Sequence, residues 1–185
     1  MATKKTNKAT PSWSDVKTKL ADIDRTGLLK LVQDLYATSK ENKAFLHARF
    51  CLGDDPLEPY KDVIIRWINP PDFRNPISVS KAKKAISDYQ KALGQPEGLA
   101  ELTVFYCEEA VDFLAGCSMD DEGFYEALVR MFEQALKYVR ALPKAQQVAF
   151  LARLDRLRQL GQNVGWGVGD DFDHFRSESG LVNEE

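Results

Sequence analysis

His47 and Cys51 stand four residues apart, the spacing that sets two side chains on one face of a helix, and Asp54 and Asp55 follow closely. These are ligand types that zinc accepts. A zinc site takes three or four of them, however, and the other segments offer no matching pair, so the two residues read as a buried cysteine and a boundary histidine. Asp170, Asp171, Asp173 and His174 form a second cluster, without the Glu-x-x-His pairs that di-iron bundles use. No metal is expected at either place. The glycine-rich GWGVGDD of residues 165–171 has neither dinucleotide nor P-loop spacing and follows no strand, so no nucleotide cofactor is expected; its glycines let the chain turn while Trp166 plugs the end of a helical bundle. Two histidines far apart in sequence support no Ser-His-Asp or Cys-His arrangement, no residue is assigned a catalytic role, and the chain is not expected to be an enzyme.

Charge offers more. From Ala92 to Val129 there is no lysine or arginine, whereas Glu97, Glu101, Glu108, Glu109, Asp112, Asp120, Asp121, Glu122 and Glu126 are acidic. Glu101, Glu108 and Asp112 share one helical face by their spacing and form a candidate acidic docking face. Basic residues lie to either side: Lys81, Lys83 and Lys84 before, Arg153, Arg156 and Arg158 after, the candidate basic face. Two readings stay open. The acidic and basic helices are neighbours whose faces offset each other, or the acidic face docks a basic partner and the arginine face a phosphate or an acidic peptide. The function expected is that of a non-enzymatic helical interaction or adaptor protein binding a protein segment; the alternative is nucleic-acid binding through the lysine- and arginine-rich helices, although a formal charge of -3 gives no global pull toward it.

The elements that position these residues are helical. Phe124, Leu128, Met131, Ala135, Tyr138 and Leu142 step by four and three, with Tyr125, Phe132 and Val139 one residue on, so the segment from Asp120 to Leu142 is read as a central helix opened by Ser118, Asp120 and Asp121. Before it come a short helix from Trp13 to Ala21; one capped by Asp24 with Leu28, Leu31, Val32, Leu35 and Tyr36 as a buried stripe; a third reopened by Ser39, carrying Phe45, Leu46, Ala48, Phe50 and Leu52 to Gly53 and pairing with the second; one with Leu57, Tyr60, Ile64, Trp67 and Ile68 buried, ended by Asn69-Pro70-Pro71; the lysine-rich helix from Ser78 or Ser80; and a long one from Pro96 to Gly116. After Pro143 a last long helix turns Val148, Leu151, Leu154 and Leu157 inward, and a short turn over 170–175 precedes a polar tail. The fold class is all-α, about seven to nine helices packed as antiparallel αα-hairpins over residues 13–176, with tails at 1–12 and 177–185. Tyr89-x-x-Ala92-Leu93 and Phe132-x-x-Ala135-Leu136 are a faint internal repeat of the tetratricopeptide kind. Three cysteines without a CxxC pair favour a reducing compartment, and with no apolar run of membrane-spanning length the chain is expected to be soluble and cytoplasmic.

The segments DRTGLLKLVQDLY (24–36), YKDVIIRWINP (60–70), SKAKKAISDY (80–89), DEGFYEALVRMFEQAL (121–136 with the preceding Asp120) and GWGVGDDF (165–172) together resemble a family of bacterial all-helical proteins catalogued as a domain of unknown function. That resemblance implies the helical fold and a bacterial cytoplasmic setting. It brings no activity, cofactor or site residue with it.

Overall fold

The computed structural model describes residues 10–72, 74–117 and 119–182, and among these the structure is helical throughout: α1 (Trp13–Ala21), α2 (Arg25–Thr38), α3 (Lys40–Arg49), α4 (Glu58–Ile68), α5 (Val79–Ala92), α6 (Pro96–Gly116), α7 (Glu122–Arg140), α8 (Lys144–Gly161) and α9 (Val168–Glu178). Ser118, expected at the start of α7, lies outside the described residues, as do most of the N-terminal tail and the last three positions. The chain divides into two compact units with the boundary between Lys43 and Ala44.

In the first unit the helices are defined by their ends. Ser12 and Asp15 form a reciprocal capping box, Ser12 N donating to Asp15 Oδ2 at 2.7 Å and Asp15 N to Ser12 Oγ at 3.4 Å. Asp24 caps α2 by accepting from Gly27 N at 2.7 Å. Ser39 opens α3 by accepting from Asn42 N at 3.1 Å, while Asn42 Nδ2 donates back to the Leu35 carbonyl at 2.6 Å and fixes the turn. What the spacing does not foresee is burial. Neither α1 nor α2 contains a buried residue, and Leu28, Leu31, Val32 and Leu35, expected as a covered stripe, are exposed. Helix periodicity places such residues on one side but does not supply anything to cover them.

The second unit holds the core. Consecutive helices pair as α4 with α5, α6 with α7 and α8 with α9; α4, α6 and α8 also pack one against the next, and α7 packs against α9. Gly98 is what lets α5 and α6 approach, because a Cβ there would stand 2.0 Å from the Tyr89 hydroxyl. Along α7, Phe124, Tyr125, Leu128, Met131, Phe132, Ala135 and Val139 are all buried, with Tyr138 half-buried, as the double column of apolar residues requires. Ala92 and Ala135 of the two similar segments are both fully buried.

Several local expectations are corrected. The third helix stops at Arg49 rather than Gly53, because Cys51 takes a left-handed conformation (φ 51°); of its apolar set only Ala48 is buried, and Phe50 and Leu52 point outward. Val148 on α8 is exposed, while Phe150 of the same helix is buried. The stretch after the glycines is no short turn: it is α9, eleven residues that run into the expected tail and bury Val168, Phe172 and Arg176. Trp166 does not plug the bundle. It sits with Gly165 and Gly167 in three successive left-handed residues (φ 82°, 52° and 74°), stays 55% exposed and stacks on Tyr125 at 5.3 Å. The interior place is taken by Phe172, stacked on Phe132 at 3.9 Å.

Candidate interaction surfaces

The acidic row on α6 meets basic side chains from both neighbouring helices. Lys61 of α4 lies 2.9 Å from Glu101, and Arg153 of α8 bridges Glu101 and Glu108, its Nε donating to Glu108 Oε1 at 2.8 Å and its Nη2 to Glu108 Oε2 at 2.6 Å while Nη1 bonds Glu101. The guanidinium fork is thus used in full, two glutamates to one arginine. Asn69, just after α4, donates to Glu109 at 3.0 Å and extends the same ladder. Of the three residues of the expected acidic docking face, Glu101 and Glu108 are only 20% and 31% exposed and are paired within the unit, and Asp112 is open to solvent. The reason is stacking of α4, α6 and α8, which sequence spacing along a single helix does not reveal.

Neighbouring glutamates respond in opposite directions. Burial pushes the Glu101 carboxyl up, but the bonds from Arg153 and Lys61 outweigh it and hold the group below the ordinary glutamate range. Burial also pushes Glu109 up, and there the Asn69 bond fails to offset it because Asp112 and Glu108 add like charge. Arg153 is held well above its usual value, first by its bonds to Glu108 and against the cost of its own burial.

The expected basic face is dispersed. Lys81 lies over the Trp67 ring at 3.8 Å, Lys84 bonds Asp88, Arg153 belongs to the ladder, and Arg158 donates to Asp173 at 2.7 Å and Asp155 at 3.1 Å. Of the six, Lys81, Lys83 and Arg156 are exposed and have no ion pair among the described residues, Lys81 with its ammonium over the Trp67 ring. Beside Arg158 the buried Arg176 donates to Asp155 at 2.9 Å and to the Leu181 carbonyl at 2.6 Å, which ties the end of the described chain to α8. No sequence signal marks Arg176, because an arginine in a polar run reads as a solvated one.

The remaining chemistry-bearing residues do not assemble. Cys51 lies beyond the end of α3, so the expected His47–Cys51 helical face does not exist. Asp173 is taken by Arg158 and Gln162, and His174 lies 3.5 Å from Glu178. Among the described residues no three His, Cys, Asp or Glu side chains converge as metal ligands would. Burial pushes the Cys107 thiol far up and Tyr60 up to about 12, so both keep their protons at neutral pH.

One surface escaped the sequence reading, which placed Leu28, Leu31, Val32 and Leu35 in the core. Trp13, Val16, Ile23, Leu28, Leu29, Leu31, Val32 and Leu35 are between 37% and 69% exposed, all of them within residues 13–35. Advancing about 100° per residue, Leu28, Leu29, Leu31, Val32, Leu35 and Tyr36 cover an arc of roughly 160° on α2. Scattered exposed leucines are ordinary; a set that shares one face of a helix is the kind that marks a contact surface. Among the described residues no helix is long and apolar enough to cross a membrane. Comparison of the chain with protein-family models, with curated proteins and with solved structures finds no match, so no residue role is carried over to these surfaces from another protein.

Proposed function

We propose that this chain is a non-enzymatic helical interaction protein whose contact element is the α1–α2 unit. The observation that carries the reading is the exposed stripe of α2, Leu28, Leu29, Leu31, Val32 and Leu35, with Trp13, Val16 and Ile23 exposed before it and no buried residue in α1 or α2. Helices of 9 and 14 residues are marginal in water on their own and take most of their stability from packing of the apolar face. A partner that covers the stripe gives these helices what their caps alone do not.

This reading moves the contact surface away from the charged helices. Salt bridges satisfied within the second unit leave Glu101, Glu108, Arg153 and Arg158 little charge to offer a partner, whether protein or nucleic acid. The helix pairs α4–α5, α6–α7 and α8–α9 then form a packed unit of their own, in the manner of a repeat-like adaptor, and the cytoplasmic, bacterial setting belongs to the same proposal. The test is a photoreactive residue at Leu29, on the stripe, against one at Lys30, opposite the centre of the stripe at 100° per residue. Irradiation in cells is expected to give a protein adduct from position 29 and none from 30. Equal labelling from both positions, or none from either, refutes the proposal.

A further inference from the structure

We infer that the junction of α4 and α5 is a binding site for a single phosphate group, held by Arg66 and Lys81 beside Trp67. All three residues belong to the second unit and none to the α1–α2 contact element. Two cations converge there. The Lys81 ammonium stands 3.8 Å and the Arg66 guanidinium carbon 5.4 Å from the centre of the one Trp67 ring. An indole face attracts a cation through its quadrupole but carries no net charge to neutralise it. Neither residue has an ion pair among the described residues, although Asp62 stands one turn before Arg66 at a spacing that permits one.

The rest of the α4–α5 hairpin sets these two apart. Lys61 is taken by Glu101, Arg74 by Asp72, and Lys84 and Lys91 share Asp88. Lys83, the remaining lysine of the hairpin, falls roughly 200° round α5 from Lys81, on the other side of the helix. The site is also fixed in place. Trp67 is half-buried against the core, and Ser78 N donates to its carbonyl at 2.9 Å, which ties the end of α4 to the start of α5. Lys81 lies in the first turn of α5, the positive end of the helix, and that turn holds no acid to offset it. The Ser78 hydroxyl makes no cap bond and lies 3.2 Å from that of Ser80, so one of the two hydroxyl protons is left to donate to an oxyanion.

The charge of the site selects the ligand. Two uncompensated cations match a dianion, and a phosphate monoester carries about −1.5 to −2 at neutral pH. Arginine supplies a fork for two oxygens and lysine a point charge, the two ways in which protein cations hold phosphate. A carboxylate brings one charge and leaves the second cation unmet. A nucleic-acid strand brings many, but the chain has a formal charge of -3, and α6, with its acidic row, packs against both α4 and α5. That field opposes a long polyanion beyond its first phosphate.

The test is a titration of the full chain, labelled at its tryptophan indole nitrogens for NMR, with inorganic phosphate and with O-phosphoserine at constant ionic strength. Trp13 and Trp166 serve as internal references, and the Trp67 signal is identified by its loss in Trp67→Phe. That signal is expected to shift saturably while the other two stay in place. Arg66→Gln and Lys81→Gln are each expected to weaken binding at least tenfold, and Lys83→Gln to leave it unchanged. Tighter binding of phosphoserine assigns the site to an esterified phosphate and tighter binding of inorganic phosphate to the free ion; either supports it. No saturable shift at Trp67, an equal shift with acetate, or an equal loss in Lys83→Gln overturns the inference. So does tighter binding of a single-stranded oligonucleotide that lacks a terminal phosphate, which assigns the surface to nucleic acid.

Discussion

Helices α2 and α7 have the same design and opposite fates. Each carries leucines at helical spacing with a second apolar column beside them, and each begins at an aspartate that accepts a hydrogen bond from a glycine N–H within the first turn. Yet α7 buries nine of its nineteen residues and α2 none of its fourteen. The difference lies outside both helices: α7 is flanked by α6, α8 and α9, and each neighbour presents its own apolar side. A stripe is thus a demand for a partner, and whether the chain itself meets that demand is settled by the rest of the fold.

The comparison breaks most visibly through the core. Phe172→Ala removes the ring stacked on Phe132 and packed against Gly161, and it is expected to cost about 3 to 5 kcal/mol. Leu35→Ala on α2 is expected to stay within about 0.5 kcal/mol in the isolated chain, since an exposed leucine loses little on truncation. Urea unfolding followed by circular dichroism checks both, and an equal shift in the two midpoints would erase the distinction between the regions.

Next in size is Arg153→Met. Without the guanidinium, Glu101 and Glu108 face each other partly desolvated, and the loss expected at this partly buried site is about 1 to 3 kcal/mol. A double-mutant cycle with Glu108→Gln isolates the pair; strict additivity would show that the ladder contributes nothing as a unit.

The smallest effect is the most specific. Glu101, with its carboxyl held low, contributes stability that is present above the ordinary glutamate range and lost as pH falls through its depressed native value. Glu109, held high, does the reverse: its charged form is disfavoured in the folded chain, so stability falls as pH rises from the ordinary glutamate range through the raised value. Glu109→Gln keeps an acceptor for Asn69 and removes that penalty. Its unfolding midpoint is expected to lie slightly above the parent's at neutral pH, with the gap closing as pH falls through the glutamate range. A gap that widens on acidification would reverse the assignment of the two glutamates.

The sequence by itself determined the local order: where helices begin, through Asp24 and Asp121; where they stop, through Asn69-Pro70; and which residues of α6 and α7 share a face. These follow from forces that act within a few residues, hydrogen bonds at helix ends, fixed proline torsions and the 3.6-residue period, so they can be read along the chain. Only the tertiary structure decided that Glu101 and Glu108 share Arg153, that Phe172 rather than Trp166 takes the interior place, and that the leucines of α2 are exposed. Each of these depends on which helices stack on which, and a helix's own residues state how much apolar surface it has to cover but not what lies across from it.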